Sequence, residues 1–223
     1  MPPVFIFRGF VERSAARTSA RIIECEKIMV GRLWHLVMTK VQGSDIRTRR
    51  LRLRELTQAD ARRIAEIGAD WDIASMTSRM PYPYNEAAAD QWINGIHDNE
   101  IVRGIALDGQ LIGVTGYLPA EDGHSAEIGY WLGKSYWGHG YATEAAAALI
   151  AYCFRRERFS YVTCGHYIDN PASARVIAKL GFTLTGHNRC WCEARNTEVD
   201  ALRYELKRPQ STWLRLPGQP RAA

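Results

Sequence analysis

The sequence predicts a mixed-sheet α/β (α+β) fold with helices on both faces of the sheet. Two adjacent apolar segments joined by an Asp-Gly turn predict antiparallel strands, whereas helical segments that alternate with the later strands predict crossover connections. With 223 residues, of which 46% are hydrophobic, the chain can bury one large core, while two full domains would each be small. We therefore expect one domain.

The first strand and the first helix have clear boundaries in the sequence. Residues 51–56 alternate between apolar and polar side chains, which is typical of a half-buried strand. Thr57 is suited to cap a helix over residues 61–67, and Gly68 can close that helix. The chain therefore begins its ordered part with a strand followed by a helix.

A second helix and a block of strands come next. Asn85 is suited to cap a helix that continues to Ile96. Asp108 and Gly109 form a turn signal between two apolar segments, which predicts an antiparallel hairpin. The predicted strands of this block are 101–107, 111–118 and 126–132.

The second half of the chain predicts two helices on crossover connections. Residues 142–156 form an Ala-rich segment too long for a strand. The second helix has Asn170 at the cap position, Pro171 at the first helical position and Gly181 just past the end. The predicted strands around and after it are 161–166, 182–184 and 199–206.

Charge and cysteine content exclude several classes of protein. The net charge is +5, and residues 1–37, with six Lys or Arg and three Glu, carry most of it, so no nucleic-acid-binding face is indicated. No apolar segment is long enough to span a membrane, and no signal peptide is evident. An odd number of cysteines without a Cys-x-x-Cys pair indicates reduced thiols, no metal site and a cytoplasmic location. The five are Cys25, Cys153, Cys164, Cys190 and Cys192.

The loop over residues 134–142 carries a signal for phosphate binding. Gly138 and Gly140 lie between a predicted strand and a long helix, where glycine lets the backbone approach a ligand and the helix N-terminus attracts negative charge. A tight turn without a ligand explains two glycines equally well. The P-loop pattern is excluded because no Gly-Lys-Ser/Thr follows, and the dinucleotide-binding pattern lacks its third glycine.

Four further segments, in this order, closely resemble the GNAT acetyltransferases of the RimJ/RimL-like branch. They are Ala-Glu-Ile-Gly-Tyr-Trp-Leu at 126–132, Trp-Gly-His-Gly-Tyr-Ala-Thr-Glu-Ala at 137–145, Asn-Pro-Ala-Ser at 170–173 and Lys-Leu-Gly-Phe at 179–182. The segments 48–54 and 80–84 are similar to that branch as well. The resemblance implies a mostly antiparallel sheet that splays between the fourth and fifth predicted strands.

The resemblance also implies a domain arrangement. A GNAT N-acetyltransferase domain is expected over residues 48–208, followed by a C-terminal tail over 209–223. Residues 1–47 are expected to be an N-terminal extension that is disordered or, for residues 1–37, lies upstream of the true start. A monomer or a homodimer, with no membrane or nucleic-acid partner, is expected.

In the family, acetyl-CoA is the acyl donor, and no metal is needed. Its pantetheine arm lies in the splay, here near 127–132 and 161–166, and its pyrophosphate lies on the glycine loop. By this resemblance the cofactor-binding residues are Ile128, Tyr130, Lys134, Ser135, Trp137, Gly138, His139, Gly140, Tyr141, Ala142, Asn170 and Ser173.

Amide formation needs a base for the amine, a stabilised oxyanion and a thiolate that leaves. Glu127 is the candidate base, because the family places its strand beside the thioester; a substrate-orienting carboxylate is the alternative. Many members carry a tyrosine acid where Ile177 stands here, so Ser173 is the candidate for contact with the sulfur, and an ordinary helix cap is its alternative. Tyr82 and Tyr84 are candidates for acceptor binding, together with Glu127.

The acceptor expected from the branch is the α-amino group of a protein N-terminus, as in a ribosomal protein. An α-amino group has a pKa of about 7.7–8.0 and loses its proton more readily than lysine, whose pKa is about 10.4. A small amine such as an amino acid, a polyamine or an antibiotic is the alternative acceptor. A module that binds acyl-CoA without catalysis is the alternative from another class.

Overall fold

The computed structural model describes residues 45–96 and 100–209, which form an eight-stranded sheet with helices packed on both faces. This confirms the predicted fold class. Cys25, nearly all of the expected N-terminal extension and all but the first residue of the expected C-terminal tail lie outside the described residues. The domain bounds therefore stay a prediction.

The elements are numbered in chain order. The strands are β1 (Ile46–Arg47), β2 (Leu51–Arg54), β3 (Ile101–Leu107), β4 (Gln110–Pro119), β5 (Ser125–Leu132), β6 (Tyr161–Tyr167), β7 (Thr183–Cys192) and β8 (Thr197–Lys207). The helices are α1 (Ala61–Gly68), α2 (Trp71–Ala74), α3 (Glu86–Asn94), α4 (Tyr141–Tyr152) and α5 (Pro171–Lys179). Short 3-10 turns cover Gln58–Asp60 and Lys134–Tyr136, and a π turn at Cys153–Glu157 extends α4.

The sheet has the strand order β1-β2-β3-β4-β5-β6-β8-β7, and β5 and β6 are its parallel pair. These two strands pair only over Ser125 to Glu127, opposite Tyr161 to Thr163. Beyond that point they diverge, and their facing edges are not hydrogen-bonded to each other. This is the predicted splay; because β1 precedes the predicted strands, it lies between the fifth and sixth strands of the chain.

The two best-marked turns form as predicted. Asp108 and Gly109 adopt left-handed φ values of 50° and 85°, which joins β3 to β4 as a two-residue hairpin. At the start of α5 the Asn170 side chain accepts a hydrogen bond from the Ser173 N–H at 3.0 Å, and Gly181, with φ of 80°, follows the helix end.

The sequence prediction misses β1 and α2 and shortens β7 to residues 182–184. The strand β7 lies at the sheet edge, pairs only with β8 and exposes many of its side chains, so it lacks the apolar alternation of a half-buried strand. Its backbone partner β8, not its side-chain pattern, keeps it extended.

The two faces of the sheet hold different helices. Trp131 on β5 packs in the cluster that contains α1, α2 and α3, whereas Ala126 and Ile128 pack in the cluster that contains Leu149 of α4 and Ile177 of α5. Side chains alternate along a strand, so Glu127 shares the face of Trp131, and Tyr130 shares the face of Ile128. Within the part of the chain that the structure describes, no helix is long and apolar enough to cross a membrane.

Candidate active site

A cavity of about 500 Å³ opens where β5 and β6 diverge. Its walls come from five parts of the chain that are far apart in sequence. They are 72–78 around α2, the edge of β5 from Glu127 to Leu132, the loop and helix start over 136–143, the end of β6 over 164–167, and the start of α5 over 169–173. The splay therefore supplies the space, and the connections around it supply most of the walls.

The glycine loop forms one end of this cavity. Gly138 and Gly140 have φ values of 80° and 79°, a left-handed backbone that glycine adopts without strain. Gly140 is the N-cap of α4, and no side chain among the described residues caps that helix end. Both glycines and Tyr141 to Thr143 line the cavity. The uncapped N–H groups at the start of α4 can therefore meet an anion.

Glu127 lies where the pairing of β5 with β6 ends, and it lines the cavity. Burial among protein atoms raises the pKa of Glu127 to about 8, although the positive charges of Arg203 and Arg79 act in the opposite direction. A carboxylate with this pKa can both accept and release a proton near neutral pH.

Tyr130 and Ser173 are in contact on the face of β5 opposite to that of Glu127. The Tyr130 hydroxyl lies 3.0 Å from Ser173 Oγ, and the Ser173 N–H is bound to the Asn170 side chain. Burial raises the pKa of Tyr130 above its usual range, so this hydroxyl keeps its proton. Both residues were candidates from the sequence, but their contact was not predicted. Alternation along a strand indicates on which face Tyr130 lies, and it does not indicate which helix packs opposite that face.

The structure brings most of the predicted cofactor-binding residues together. Those that line the cavity are Ile128, Tyr130, Trp137, Gly138, Gly140, Tyr141, Ala142, Asn170 and Ser173. Lys134, Ser135 and His139 lie outside the lining. Lys134 Nζ pairs instead with the carboxylates of Asp72 and Asp70.

The two tyrosines predicted to bind the acceptor also lie outside the cavity lining. Tyr84 is 7% exposed and packs in the core, and Tyr82 is 48% exposed and packs edge-on against Trp71. The segment just before them provides the wall instead, with Ile73, Met76, Thr77 and Ser78 in the lining. Sequence reasoning missed this segment, which carries no motif.

That wall is attached to the turn between β7 and β8. Arg195 donates from Nε to the Ser75 carbonyl at 2.7 Å and pairs with Asp169 at 2.6 Å, and its guanidinium lies over the Tyr167 ring at 5.4 Å. The backbone N–H of Glu193 donates to the Ser78 carbonyl at 2.9 Å. No local pattern in the sequence indicates these contacts.

The family model described as an acetyltransferase (GNAT) domain matches residues 50–183. The chain is 28% identical to the "Putative ribosomal N-acetyltransferase YdaF" of Bacillus subtilis (strain 168), over 69% of this chain and 89% of that protein. It is 33% identical to the "Uncharacterized protein YkkB" of the same organism over 45% of this chain, and it spans 64% of the length of YkkB.

Among solved structures, the chain resembles RimL, a ribosomal α-N-protein acetyltransferase in complex with coenzyme A. The TM-score is 0.66 at 20% identity, and the match covers 74% of this chain and 98% of RimL. At this level of identity the likeness concerns the fold.

Proposed function

This chain belongs to the GNAT acetyltransferase family, and from that premise we propose that it transfers the acetyl group of acetyl-CoA to the α-amino group of a protein N-terminus. The observation that carries the proposal is the cavity in the splay, with Glu127 on one face, the Tyr130–Ser173 pair on the other and an uncapped helix start at one end. The proposed domain covers residues 48–208.

The glycine loop and the unpaired edge of β5 support acetyl-CoA as the donor. The left-handed glycines leave the loop backbone open, and the N–H groups at the start of α4 can bind a pyrophosphate, which is negatively charged. The unpaired edge of β5 can hold the peptide-like pantetheine arm, and a backbone N–H there can stabilise the oxyanion. The coenzyme A complex of RimL supports this proposal.

We assign the removal of the amine proton and the stabilisation of the leaving thiolate to residues on the two faces of β5. Glu127 takes the proton of the attacking amine, as the nitrogen bonds to the acetyl carbon and the carbon–sulfur bond breaks. Its pKa of about 8 suits an α-amino group, whose pKa is about 7.7–8.0, better than a lysine. The hydroxyls of Ser173 and Tyr130, which are hydrogen-bonded to each other, donate a hydrogen bond to the departing thiolate sulfur and keep their own protons. The thiolate takes a proton from water to give the thiol of coenzyme A, and Glu127 releases the proton of the amine to water.

The charges at the cavity rim favour an acceptor with one amine over a polyamine. Asp72 and Asp169 both line the cavity, but Asp72 pairs with Lys134 and Asp169 pairs with Arg195. Their negative charges are therefore compensated and attract a polycation only weakly. The curated relative YdaF, named a putative ribosomal N-acetyltransferase, supports the same acceptor class.

A cytoplasmic location agrees with the cysteines of the described residues. Cys153, Cys164, Cys190 and Cys192 are all buried as free thiols. Reduced thiols are typical of proteins that work in a reducing compartment. Among the described residues no group of His, Cys, Asp or Glu is arranged to hold a metal ion.

Release of coenzyme A from acetyl-CoA, measured with a panel of acceptors, tests the function. The panel holds peptides that begin with Ala, Ser, Thr or Met, the same peptides with a blocked N-terminus, and free amino acids and polyamines. We expect acetylation of one class of free peptide, with the product identified by mass spectrometry. Acetylation of small amines alone would contradict the protein acceptor, and no turnover with acetyl-CoA bound would contradict catalysis.

A further inference from the structure

A second group of residues, outside the cavity lining, supports the glycine loop. The turn between β1 and β2 brings Thr48 and Arg50 against the first turn of α4. Glu144 Oε1 accepts hydrogen bonds from Thr48 Oγ1 at 2.6 Å and from the Arg50 backbone N–H at 2.9 Å. The other oxygen of Glu144 pairs with Arg50 Nε at 2.7 Å. One carboxylate thus ties the first strands of the sheet to the helix that starts at the loop.

Arg50 also contacts the loop itself. Its Nη1 donates to the His139 carbonyl at 3.1 Å, and its guanidinium lies over the Tyr141 ring at 4.5 Å. A Cβ added to Gly140 would lie 3.6 Å from Arg50 Nη2. The guanidinium therefore contacts His139 and Tyr141, the residues on either side of Gly140, and both Gly140 and Tyr141 line the cavity.

The charge of Glu144 explains why an arginine is needed here. Glu144 lies in the first turn of α4, where a carboxylate stabilises the free helix but repels any anion at the same helix end. Partial burial raises the pKa of Glu144, but the hydrogen bonds from Thr48 and Arg50 outweigh this effect and lower the pKa below its usual value. The carboxylate therefore stays ionised. The Arg50 cation compensates this charge beside the place where a pyrophosphate would bind.

We infer that Arg50, anchored by Glu144 and Thr48, is a positioning residue for the pyrophosphate loop and compensates the negative charge of Glu144 when a diphosphate binds. The inference rests on the proposed function, because it takes a diphosphate as the ligand of the loop. It assigns a role to Thr48 and Arg50, which the sequence analysis noted only as part of a resemblance, and to Glu144.

The test is calorimetric binding of three ligands to the full-length Arg50→Ala variant: coenzyme A, dephospho-coenzyme A and pantetheine. The first two contain the diphosphate and pantetheine does not. We expect the variant to lose about 10-fold in affinity for both diphosphate ligands and less than about 2-fold for pantetheine. Arg50→Lys should lose less than Arg50→Ala, because it keeps the positive charge.

Two further variants make the result specific. Arg50→Ala combined with Glu144→Ala should recover part of the lost affinity, because the uncompensated carboxylate is gone. Arg62→Ala, which removes an exposed arginine paired with Glu66 on α1, should bind all three ligands like the wild type. Equal losses for all three ligands, or no loss for coenzyme A, would overturn the inference. Failure of the wild type to bind coenzyme A would instead overturn the proposed function.

Discussion

The two sides of the cavity are built in different ways. The side with the glycine loop uses short, continuous segments, 137–143 and 170–173, whose backbone conformation is set by nearby glycines, a proline and a capping asparagine. The side with α2 uses residues 72–78, which are held by contacts from Arg195 and Cys192, more than a hundred positions later in the chain. A site made of local backbone is recognisable in a sequence, whereas a wall held by distant side chains leaves no local signal in it.

A substitution in the glycine loop should have the largest effect. Gly140→Val places a branched side chain at a φ of 79° and covers the start of α4. We expect acetyl-CoA affinity to fall by about 100-fold or more, because the strained loop moves and the N–H groups are blocked. Equilibrium binding measures this. Gly109→Val, at a φ of 85° in the distant β3–β4 turn, is the matched control and should keep the affinity even if it lowers stability.

Glu127 lies between the two sides of the cavity. Glu127→Gln should lower kcat by about 100-fold and leave acetyl-CoA affinity unchanged, because the substitution removes only the proposed base. The wild-type rate should rise with pH up to about 8 as Glu127 loses its proton, and the variant should lack that rise. A pH profile of single-turnover rates checks both. A wild-type rate in the variant across the pH range would exclude Glu127 as the base.

The same substitution has a consequence for stability. Folding raises the pKa of Glu127 from 4.5 to about 8, so between these pH values the unfolded chain releases a proton that the folded chain keeps. The wild type should therefore lose stability relative to Glu127→Gln as pH rises through this window, with no further change above pH 8. Urea unfolding at pH 5 and at pH 8.5 compares the two proteins.

On the α2 side, Arg195→Ala should raise the KM for the acceptor by about 10-fold and leave acetyl-CoA affinity unchanged, because the wall over 72–78 loses its attachment to the β7–β8 turn. Arg189→Ala on the neighbouring strand removes an exposed arginine paired with Glu198 and should leave both constants unchanged. Weaker binding of acetyl-CoA in Arg195→Ala would show that the two sides of the cavity do not act separately.

The smallest effect is expected at the contact between Tyr130 and Ser173. Tyr130→Phe removes one hydroxyl and keeps the ring, so we expect a loss of about 3- to 10-fold in kcat, because a thiolate leaves without strong help. Ser173→Ala should lose a similar factor, and the double variant should lose no more than either single one. Independent, multiplied losses would show that the two hydroxyls do not act as one donor.

The sequence alone determines the parts of the protein whose partners are close along the chain. Asn170 caps a helix three residues away, Asp108 and Gly109 close a hairpin between adjacent strands, and Gly138 and Gly140 shape a loop through their own φ values. These interactions need no knowledge of the rest of the fold. For this reason the fold class and the glycine loop were predictable from the residues, whereas the splay was predicted only through the resemblance to the GNAT family.

Only the tertiary structure decides the rest of the site. The raised pKa of Glu127 depends on the protein atoms packed around it. The contact of Tyr130 with Ser173 depends on where the fold places the start of α5 relative to β5. The anchoring of Arg50 depends on a carboxylate 94 residues away. Burial and hydrogen bonds across the fold act over a few ångströms in space at any separation along the chain. Local pattern therefore indicates which residues carry chemistry, and packing decides which of them meet.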